Sequence, residues 1–214
     1  MRIAVVGIGH VGGALGMGWA RAGHEVIFGA RNPESKDAQD LISQSTGKAR
    51  VASVQDAIAK AELVALAIPW TAVPEALKSI APALPGKILI DCTNPATVFP
   101  VVDHSAGSGG EQVARLAPNA RVVKAFNTTG FENMQHPKYG EGTVTMFYAG
   151  DDAEAKKVVH GLAKDLGFDP IDAGGVRNSH ALEILASLWG NLAYTQKMGR
   201  GIAFRLMRRN NTNA

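Results

Sequence analysis

The feature that most constrains this chain is a glycine pattern directly after its first apolar segment. Arg2–Val6 is short, apolar and β-branched, as expected for a buried strand. It leads into Gly7–Gly12, a G-x-G-x-x-G pattern. A segment rich in Ala, Leu and Met then runs to Ala22, and Glu25–Phe28 reads as a second strand. This order of strand, glycine turn, helix and strand predicts a dinucleotide-binding βαβ unit.

Each glycine of the pattern has its own expected role. Gly7 permits the tight turn, Gly9 lets the backbone approach a pyrophosphate, and Gly12 lets the helix pack closely on the strand. The pyrophosphate is expected at the N–H groups and positive dipole of the helix N-terminus. The alternative is a glycine-rich turn with a structural role alone. The residues predicted to border the cofactor here are Gly7, Ile8, Gly9, His10, Val11 and Gly12.

The end of the second strand indicates which dinucleotide is bound. An NAD site usually carries Asp or Glu there, to accept hydrogen bonds from the ribose 2′-OH. Here Gly29–Pro33 contains no carboxylate and places Arg31 at that point. A guanidinium suits a 2′-phosphate, which a carboxylate would repel. NADP(H) is therefore predicted, and Ser35 and Lys36 either assist Arg31 or are solvated loop residues.

Three further apolar segments end in residues suited to a ligand site. Ligands of doubly wound sheets bind at the carboxyl ends of the strands. Trp70 either lines the site or packs on the sheet, and Asn94 either orients a carboxamide or ribose hydroxyl or caps a turn. The strands predicted are Leu63–Ile68, Ile88–Asp91 and Arg121–Phe126, and the predicted site residues at their ends are Ile68, Pro69, Trp70, Asn94, Pro95 and Asn127.

The order of elements predicts an α/β protein: a Rossmann, doubly wound, mostly parallel sheet with C-terminal helices. We expect an NADP-binding domain over residues 1–175, a helical segment over 176–209 packed on it or on a partner subunit, and a tail over 210–214. The other predicted elements are a helix within 34–46, a short strand at Val51–Ala52, helices 53–60, 72–80 and 110–116, loops over 95–110 and 131–142, a strand at Thr143–Gly150, a helix capped by Asp151 up to Leu166, and a strand at Pro170–Asp172.

The C-terminal segment carries an apolar stripe at helical spacing. Asn178 is a candidate cap, Gly199 is expected to end the helix, and Gly201–Arg209 is expected to form a second one. Such a stripe predicts either packing on the sheet or a homodimer interface. Its members are Leu182, Leu185, Leu188, Trp189, Leu192 and Ala193. His180, Glu183 and Lys197 are expected on the helix surface, and the alternative for each is a role as an acid–base group.

Composition excludes several classes of function. A hydrophobic fraction of 46% and a charged fraction of 19% are ordinary for a soluble globular protein. The net charge of +3, with no basic stripe, argues against a nucleic-acid partner. The sequence contains no apolar run of about 18 residues and no signal-peptide pattern, so neither a membrane segment nor export is predicted. Cys92 is the single cysteine and reads as a small core residue, and the predicted location is cytoplasmic.

In these motifs the chain resembles the NADP-dependent oxidoreductases of the deazaflavin coenzyme F420. The same domain recurs as the reductase part of six-transmembrane metalloreductases. The resemblance implies that Arg31 binds the 2′-phosphate, and that Ala30 and Asn32 belong to the same site. It also implies that Ile68, Pro69 and Asn94 border the nicotinamide and the acceptor. The family's reductase proper has Ser in place of Ala30, and its loops at 93–104 and 127–142 differ. The resemblance rests on Gly7–Gly12, Gly29–Pro33, Ala67–Trp70, Ala149–Asp152 and Asp172–Gly174.

The predicted function is hydride transfer between NADP(H) and a second planar cofactor, deazaflavin F420 or flavin. Related hydroxyacid dehydrogenases use a lysine four residues before an Asn as general acid, and Ser187 stands there relative to Asn191. Hydride exchange between two redox cofactors can take its proton from solvent, so no catalytic side chain and no metal are predicted. The alternatives are a reductase of a small imine or ketone, similar to pyrroline-carboxylate reductases, and a non-catalytic NADPH-sensing module.

Overall fold

The computed structural model describes residues 1–45, 49–96 and 100–209. The strands are Arg2–Val6 (β1), Glu25–Ala30 (β2), Ala49–Ser53 (β3), Leu63–Leu66 (β4), Ile88–Asp91 (β5), Arg121–Lys124 (β6), Lys138–Tyr139 (β7), Gly142–Thr143 (β8), Thr145–Gly150 (β9) and Asp169–Asp172 (β10). The α-helices are His10–Arg21 (α1), Lys36–Ser43 (α2), Val54–Lys60 (α3), Val73–Ile80 (α4), Gly109–Leu116 (α5), Phe131–Gln135 (α6), Ala153–Asp165 (α7) and Ser179–Gly190 (α8).

Within the described ranges, eight of the strands form one sheet in the order β10-β9-β6-β5-β4-β1-β2-β3. All neighbouring pairs are parallel except β6 with β9. The chain order reverses between β1 and β4, which is the topological switch point where such sheets bind ligands. The predicted Rossmann α/β class is therefore confirmed. The carboxyl ends of β1, β2, β4, β5 and β6 form one edge, which we call the ligand edge.

The hydrophobic core lies on both faces of the sheet. On one face, α1 and α7 bury side chains such as Leu15, Trp19 and Val159 against the strands. On the other face, α3, α4 and α5 do the same with residues such as Leu77 and Val113. Because both faces are covered, the central strands read as continuous apolar runs without alternation.

Two strands end earlier than their apolar runs suggest. β4 ends at Leu66, although the run continues to Ile68. β6 ends at Lys124 because the chain turns out of the sheet at Phe126, whose φ of +62° lies in the left-handed region. The Phe126 N–H donates instead to Sδ of Met146 at 3.2 Å. Residues 125–130 are consequently buried irregular backbone above the ligand edge.

The segment 131–142 is not the long loop that the sequence predicts. Its first residues form α6, which packs against α1, and Lys138–Tyr139 pairs with Gly142–Thr143 as a two-residue hairpin. Strands this short show no alternation of hydrophobicity, so the pattern could not reveal them. The cap of α7 also differs: the side chain of Asp152 accepts from the Ala155 N–H at 2.7 Å. Asp151 instead accepts from Val176 N–H at 2.9 Å.

The C-terminal segment is helical only in its first half. α8 passes into a π-helical turn at Asn191–Thr195, so the helix ends before Gly199. Asn178 precedes the helix, but its side chain donates to the carbonyl of Ala173 at 2.5 Å and caps nothing. Residues 201–209 form no helix, which corrects the prediction for that segment.

Backbone partners elsewhere in the chain explain the extended course of residues 201–209. The carbonyl of Ile202 accepts from the Trp189 indole and from Asn133, each at 2.7 Å. The carbonyl of Phe204 accepts from Thr145 N–H at 3.0 Å, and Leu206 N–H donates to the Thr145 hydroxyl at 2.9 Å. The tail predicted over 210–214 and the part of the 95–110 loop at 97–99 lie outside the described residues. Within the described residues, no helix is both long and apolar enough to cross a bilayer.

Candidate functional site

The glycine turn between β1 and α1 has the geometry that its pattern predicts. Gly7 has a φ of +111°, and a Cβ on it would overlap the carbonyl of Ala67. A Cβ on Gly12 would overlap the carbonyl of Gly7, so the helix lies directly against the strand end. Gly9 differs, because a Cβ there would have no neighbour within 4 Å. The absence of a side chain at Gly9 is thus not required by protein packing, and it leaves the backbone open to a ligand.

The N-terminus of α1 faces this open space without a protein cap. Gly9 is the N-cap residue and provides no side-chain hydrogen bond, and the first turn contains no acidic residue. The first N–H groups of a helix lack partners inside the helix. His10 and Val11, the first two helical residues, are respectively exposed and half-buried. This arrangement suits an anionic group at the helix end.

Arg31 follows β2 immediately and lies on the same edge. Its side chain is exposed and makes no ion pair with any carboxylate in the described part of the chain. Ala30 is buried opposite Ser53 of β3. Ser35 caps α2, accepting from Ala38 N–H at 3.4 Å, and Asn32 accepts from Glu34 N–H at 3.2 Å. Among the described residues, the guanidinium of Arg31 has no ion-pair partner, and it lies on the same edge of the sheet as the N-terminus of α1.

The residues after β4 divide between the edge and the core. Pro69 is exposed at the ligand edge, and Ile68 is half-buried. Trp70 begins a short 3₁₀ turn and packs against the core on the α3 and α4 face of the sheet. The structure therefore supports packing on the sheet for Trp70. Pro95, after β5, is buried.

Asn94 and Asn127 meet across the ends of β5 and β6. The Asn94 Nδ2 donates to the backbone carbonyl of Asn127 at 3.0 Å, and the Asn127 Nδ2 donates to Asn94 Oδ1 at 2.9 Å. A carbonyl can only accept, so it fixes the orientation of the Asn94 amide, and Asn94 in turn fixes that of Asn127. Asn127 is 5% exposed, and its Oδ1 has no partner among the described residues. A buried acceptor without a partner is costly unless a ligand or water supplies a donor.

An aromatic contact joins the glycine turn to α6. The imidazole of His10 stacks on the ring of Phe131, with centroids 4.6 Å apart and planes 12° apart. The Arg200 guanidinium lies 4.7 Å from the centroid of the same ring and is paired with Glu132. Beside this contact, a groove of about 550 Å³ runs along α1 between α2 and α6 and shares Gly9 and His10 with the turn.

Glu183 lies in the interior and not on the helix surface that the sequence predicts. Its side chain is fully buried and accepts from the Lys124 ammonium at 2.9 Å. Lys124 is equally buried and also contacts Asp91 at 2.9 Å. One sequence pattern does indicate that Glu183 is buried. At spacings of three and seven residues it shares a helix face with the small residues Ala186 and Gly190.

The buried titratable groups around β5 and β6 contact other protein groups. Burial tends to lower the pKa of Lys124, but the carboxylates of Asp91 and Glu183 outweigh it and raise that pKa above its ordinary value. Burial raises the pKa of the Cys92 thiol, and the neighbouring Asp91 adds to the effect. The imidazole of His104 is 2.9 Å from Glu183. Cys92 is therefore a protonated core thiol, which agrees with its assignment as a small core residue.

The sheet order and the glycine turn define a Rossmann-class domain of the dinucleotide-binding type. Comparison with known proteins places it more narrowly. Residues 2–95 match the family model described as "NADP oxidoreductase coenzyme F420-dependent". The F420-dependent NADP reductase of Methanothermobacter marburgensis is 30% identical over 207 residues, which cover 90% of this chain and 92% of the relative. This chain belongs to the family of coenzyme F420-dependent NADP oxidoreductases.

Two further similarities describe the relationship to solved structures and to a larger protein. A crystal structure from Arthrobacter sp. FB24, described as a candidate F420-dependent NADP reductase, superposes with a TM-score of 0.87 at 33% identity and covers 97% of this chain and 100% of that one. Metalloreductase STEAP3 of Rattus norvegicus is 31% identical over 185 residues. The chain spans about a third (36%) of that metalloreductase.

The imine-reducing enzymes share the fold at lower identity. A reductive aminase from Aspergillus terreus superposes with a TM-score of 0.67 at 21% identity, over 92% of this chain and 62% of that one. At this level of identity the likeness concerns the fold alone.

Proposed function

We propose that the ligand edge binds NADP(H), with the pyrophosphate at Gly7–Gly12 and the 2′-phosphate at Arg31. Three observations on the described residues support this assignment: no atom lies within 4 Å of a Cβ built on Gly9, the α1 N-terminus has no side-chain cap, and the Arg31 guanidinium has no ion-pair partner. Ala30, Asn32 and Ser35 would border the 2′-phosphate. Ile68, Pro69, Asn94, Pro95 and Asn127 would border the nicotinamide half, whereas Trp70 would support the strand end from the core.

The observation that carries this assignment is the orphaned carboxamide oxygen of Asn127. It lies at the carboxyl end of β6, it is buried, and it is an acceptor whose orientation the protein has already fixed. The nicotinamide half of NADP(H) supplies donors of the required kind, in its ribose hydroxyls and its carboxamide. We propose that one of these donors satisfies the Asn127 oxygen. The cofactor itself supplies the hydride.

We further propose that the acceptor is a second planar cofactor, deazaflavin F420 or a flavin, as the names of the archaeal relatives suggest for F420. Reduction of a carbonyl needs a positioned general acid. Near the edge, however, Lys124 is held between two carboxylates, His104 contacts Glu183, and His10 is stacked on Phe131. Hydride transfer between two redox cofactors needs no general acid from the protein. What the protein must provide is orientation and exclusion of water.

A turnover assay with the purified chain tests this proposal. NADPH absorbance is followed with F420, FMN, FAD or a cyclic imine as the candidate acceptor. We expect multiple turnovers with F420 or with a flavin. Turnover with the imine alone would favour the second candidate, a small-substrate reductase like the enzymes that share the fold. Binding of NADPH with no turnover on any acceptor would favour a sensing module.

We also propose that the chain forms a homodimer through α8 and acts in the cytoplasm. The outward face of α8 exposes Ile184 and Leu188, one turn apart. Trp189 is buried and Leu185 and Leu192 are half-buried, so this part of the stripe packs within the chain and only its outer edge is available to a partner. A single, buried, reduced cysteine, Cys92, suits the reducing cytoplasm.

A further inference from the structure

A cluster of buried charges lies directly behind the turn that carries Asn94. The Lys124 ammonium is 2.9 Å from Asp91 Oδ2 and 2.9 Å from Glu183 Oε1, and all three side chains are completely shielded from solvent. Buried ion pairs contribute little net stability, because the desolvation of each charge offsets the attraction. The position of these charges therefore calls for an explanation other than stability.

Glu183 is fixed by donors from three different elements. Its Oε2 accepts from the Gly109 N–H at 3.0 Å and from His104 Nε2 at 2.9 Å. Its Oε1 accepts from the Gly110 N–H at 3.1 Å as well as from Lys124. Each oxygen thus has two donors, and the carboxylate can neither rotate nor shift without losing some of them. Through Glu183, α8 is tied to the N-terminus of α5, to β6 and to the segment before α5.

Lys124 and Asp91 connect the fixed Glu183 carboxylate to the ligand edge. Besides the two carboxylates, the Lys124 ammonium donates to the backbone carbonyl of Thr93 at 2.6 Å. Asp91 Oδ1 accepts from the Thr93 N–H at 2.9 Å and from the Thr93 hydroxyl at 2.6 Å. Every polar group of Thr93 is thereby held by the charge cluster. The next residue is Asn94, whose amide fixes the free oxygen of Asn127.

We infer that Glu183 and Lys124 are positioning residues for the nicotinamide half of the cofactor. The charge cluster holds the Thr93–Asn94 turn, the turn holds the Asn94 amide, and that amide keeps the Asn127 oxygen available as an acceptor. This inference rests on the proposed binding of NADP(H) at the ligand edge. It adds to that proposal that α8, although remote from the glycine turn, controls how the reactive end of the cofactor is bound.

Two ligands separate this role from general support of the fold. Adenosine 2′,5′-bisphosphate contains the adenine and the 2′-phosphate but no nicotinamide, whereas NADPH contains both halves. Glu183→Gln replaces one carboxylate oxygen by an NH₂ group. This group cannot accept the hydrogen bonds from the two donors that face it, so two of the four contacts are lost. We expect the Kd for NADPH to rise about tenfold, the equivalent of roughly one good hydrogen bond. The Kd for the bisphosphate should stay within about twofold of the wild type, the scatter typical of an uncoupled distant site.

A second pair of variants covers the case in which Glu183→Gln does not fold. His104 is partly exposed, so His104→Ala removes one donor to Glu183 without removing a buried charge. His104→Gln restores a donor. We expect His104→Ala to weaken NADPH binding and His104→Gln to recover most of it, with bisphosphate binding unchanged in both. Lys156→Met is the matched control, because it breaks a lysine–carboxylate pair with Asp172 at the β10 side of the sheet. Neither ligand should respond to it.

The outcomes distinguish the inference from the proposed function. If the wild-type protein binds neither ligand, the proposed function itself is wrong. If it binds both and the variants bind NADPH as tightly as the wild type, the positioning role is wrong. The role is also wrong if a folded variant loses affinity for both ligands by the same factor, because that is the behaviour of general destabilisation.

Discussion

At the scale of single residues, the proposed contact between Arg31 and the 2′-phosphate predicts a preference for NADPH over NADH. Arg31 stands where an NAD site would carry a carboxylate, and it has no protein carboxylate to neutralise it in the described part of the chain. We expect Arg31→Ala to lose about 1.5–3 kcal/mol of NADPH binding, the strength of a hydrogen bond to a charged group. This corresponds to a roughly ten- to hundredfold higher Kd, measured by fluorescence titration.

The affinity for NADH should not change in Arg31→Ala, because NADH lacks the 2′-phosphate. Arg50→Ala provides the matched control, since Arg50 is another exposed arginine that pairs with Glu25 near the start of β3, away from the ligand edge. Equal NADPH affinity in the wild type and Arg31→Ala would contradict the assignment of Arg31.

A substitution at Gly9 should weaken cofactor binding far more than it affects the stability of the fold. A Cβ on Gly9 would have no neighbour within 4 Å among the described residues, so the methyl group of Gly9→Ala overlaps none of them. It would instead occupy the position from which the backbone approaches the pyrophosphate. We expect Gly9→Ala to unfold at most a few degrees below the wild type, because Ala is a poorer N-cap than Gly, and to bind NADPH at least about tenfold more weakly.

Gly161→Ala is the control for Gly9→Ala. Gly161 lies within α7, and a Cβ there also has no neighbour within 4 Å. This variant should gain up to about 1 kcal/mol of stability, from the higher helix propensity of Ala. Its NADPH affinity should equal that of the wild type. Tight NADPH binding by folded Gly9→Ala would remove Gly9 from the pyrophosphate site.

At the scale of elements, the extended C-terminal segment depends on side chains from other elements. The Trp189 indole N–H donates to the carbonyl of Ile202. Trp189→Phe keeps most of the ring packing but loses this bond, so we expect a loss of about 0.5–1.5 kcal/mol in the free energy of unfolding. Urea denaturation measures this loss, and trypsin should cleave after Arg205 faster than in the wild type.

Trp70→Phe serves for comparison, because the Trp70 indole makes no hydrogen bond within the described residues although its ring packs on the core. Its cleavage after Arg205 should match that of the wild type. If the two variants were cleaved at the same rate, the indole–carbonyl bond would not be what holds the segment.

Elements whose signals are local could be predicted, and those with distant partners could not. β1, the glycine turn and α1 follow from residues within one βαβ unit. The cap of α3 is equally local, since the Ser53 hydroxyl accepts from the Asp56 N–H at 3.1 Å. The course of residues 201–209 depends on Asn133, Thr145 and Trp189, which no local pattern connects to it. Glu183 was misplaced for the same reason, since its partners Lys124 and Gly109 are far away in the sequence.

At the scale of the whole molecule, the exposed apolar residues of α8 bear on whether two copies of this chain form a dimer. Ile184 and Leu188 on the outer face of α8 are 51% and 48% exposed. In a two-fold interface a substitution occurs on both sides, so Leu188→Glu would place two like charges close together. We expect the wild type to be a dimer at micromolar concentration and Leu188→Glu to be a monomer, measured by light scattering.

The control for this prediction is Leu116→Glu. Leu116 at the end of α5 is 40% exposed, so the change in surface charge is the same but lies on another helix. It should leave the dimer intact. A monomeric wild type would mean that the outer face of α8 serves no contact between copies of this chain.

The asparagine pair also makes the ligand edge observable by spectroscopy. The side-chain NH₂ groups of Asn94 and Asn127 are both hydrogen-bonded, so their protons should exchange with water more slowly than those of exposed asparagines. A donor arriving at the Asn127 oxygen polarises the same amide and changes the resonance of its nitrogen. NMR of the side-chain amides can therefore report the arrival of the nicotinamide half directly, with no acceptor present and no reaction taking place.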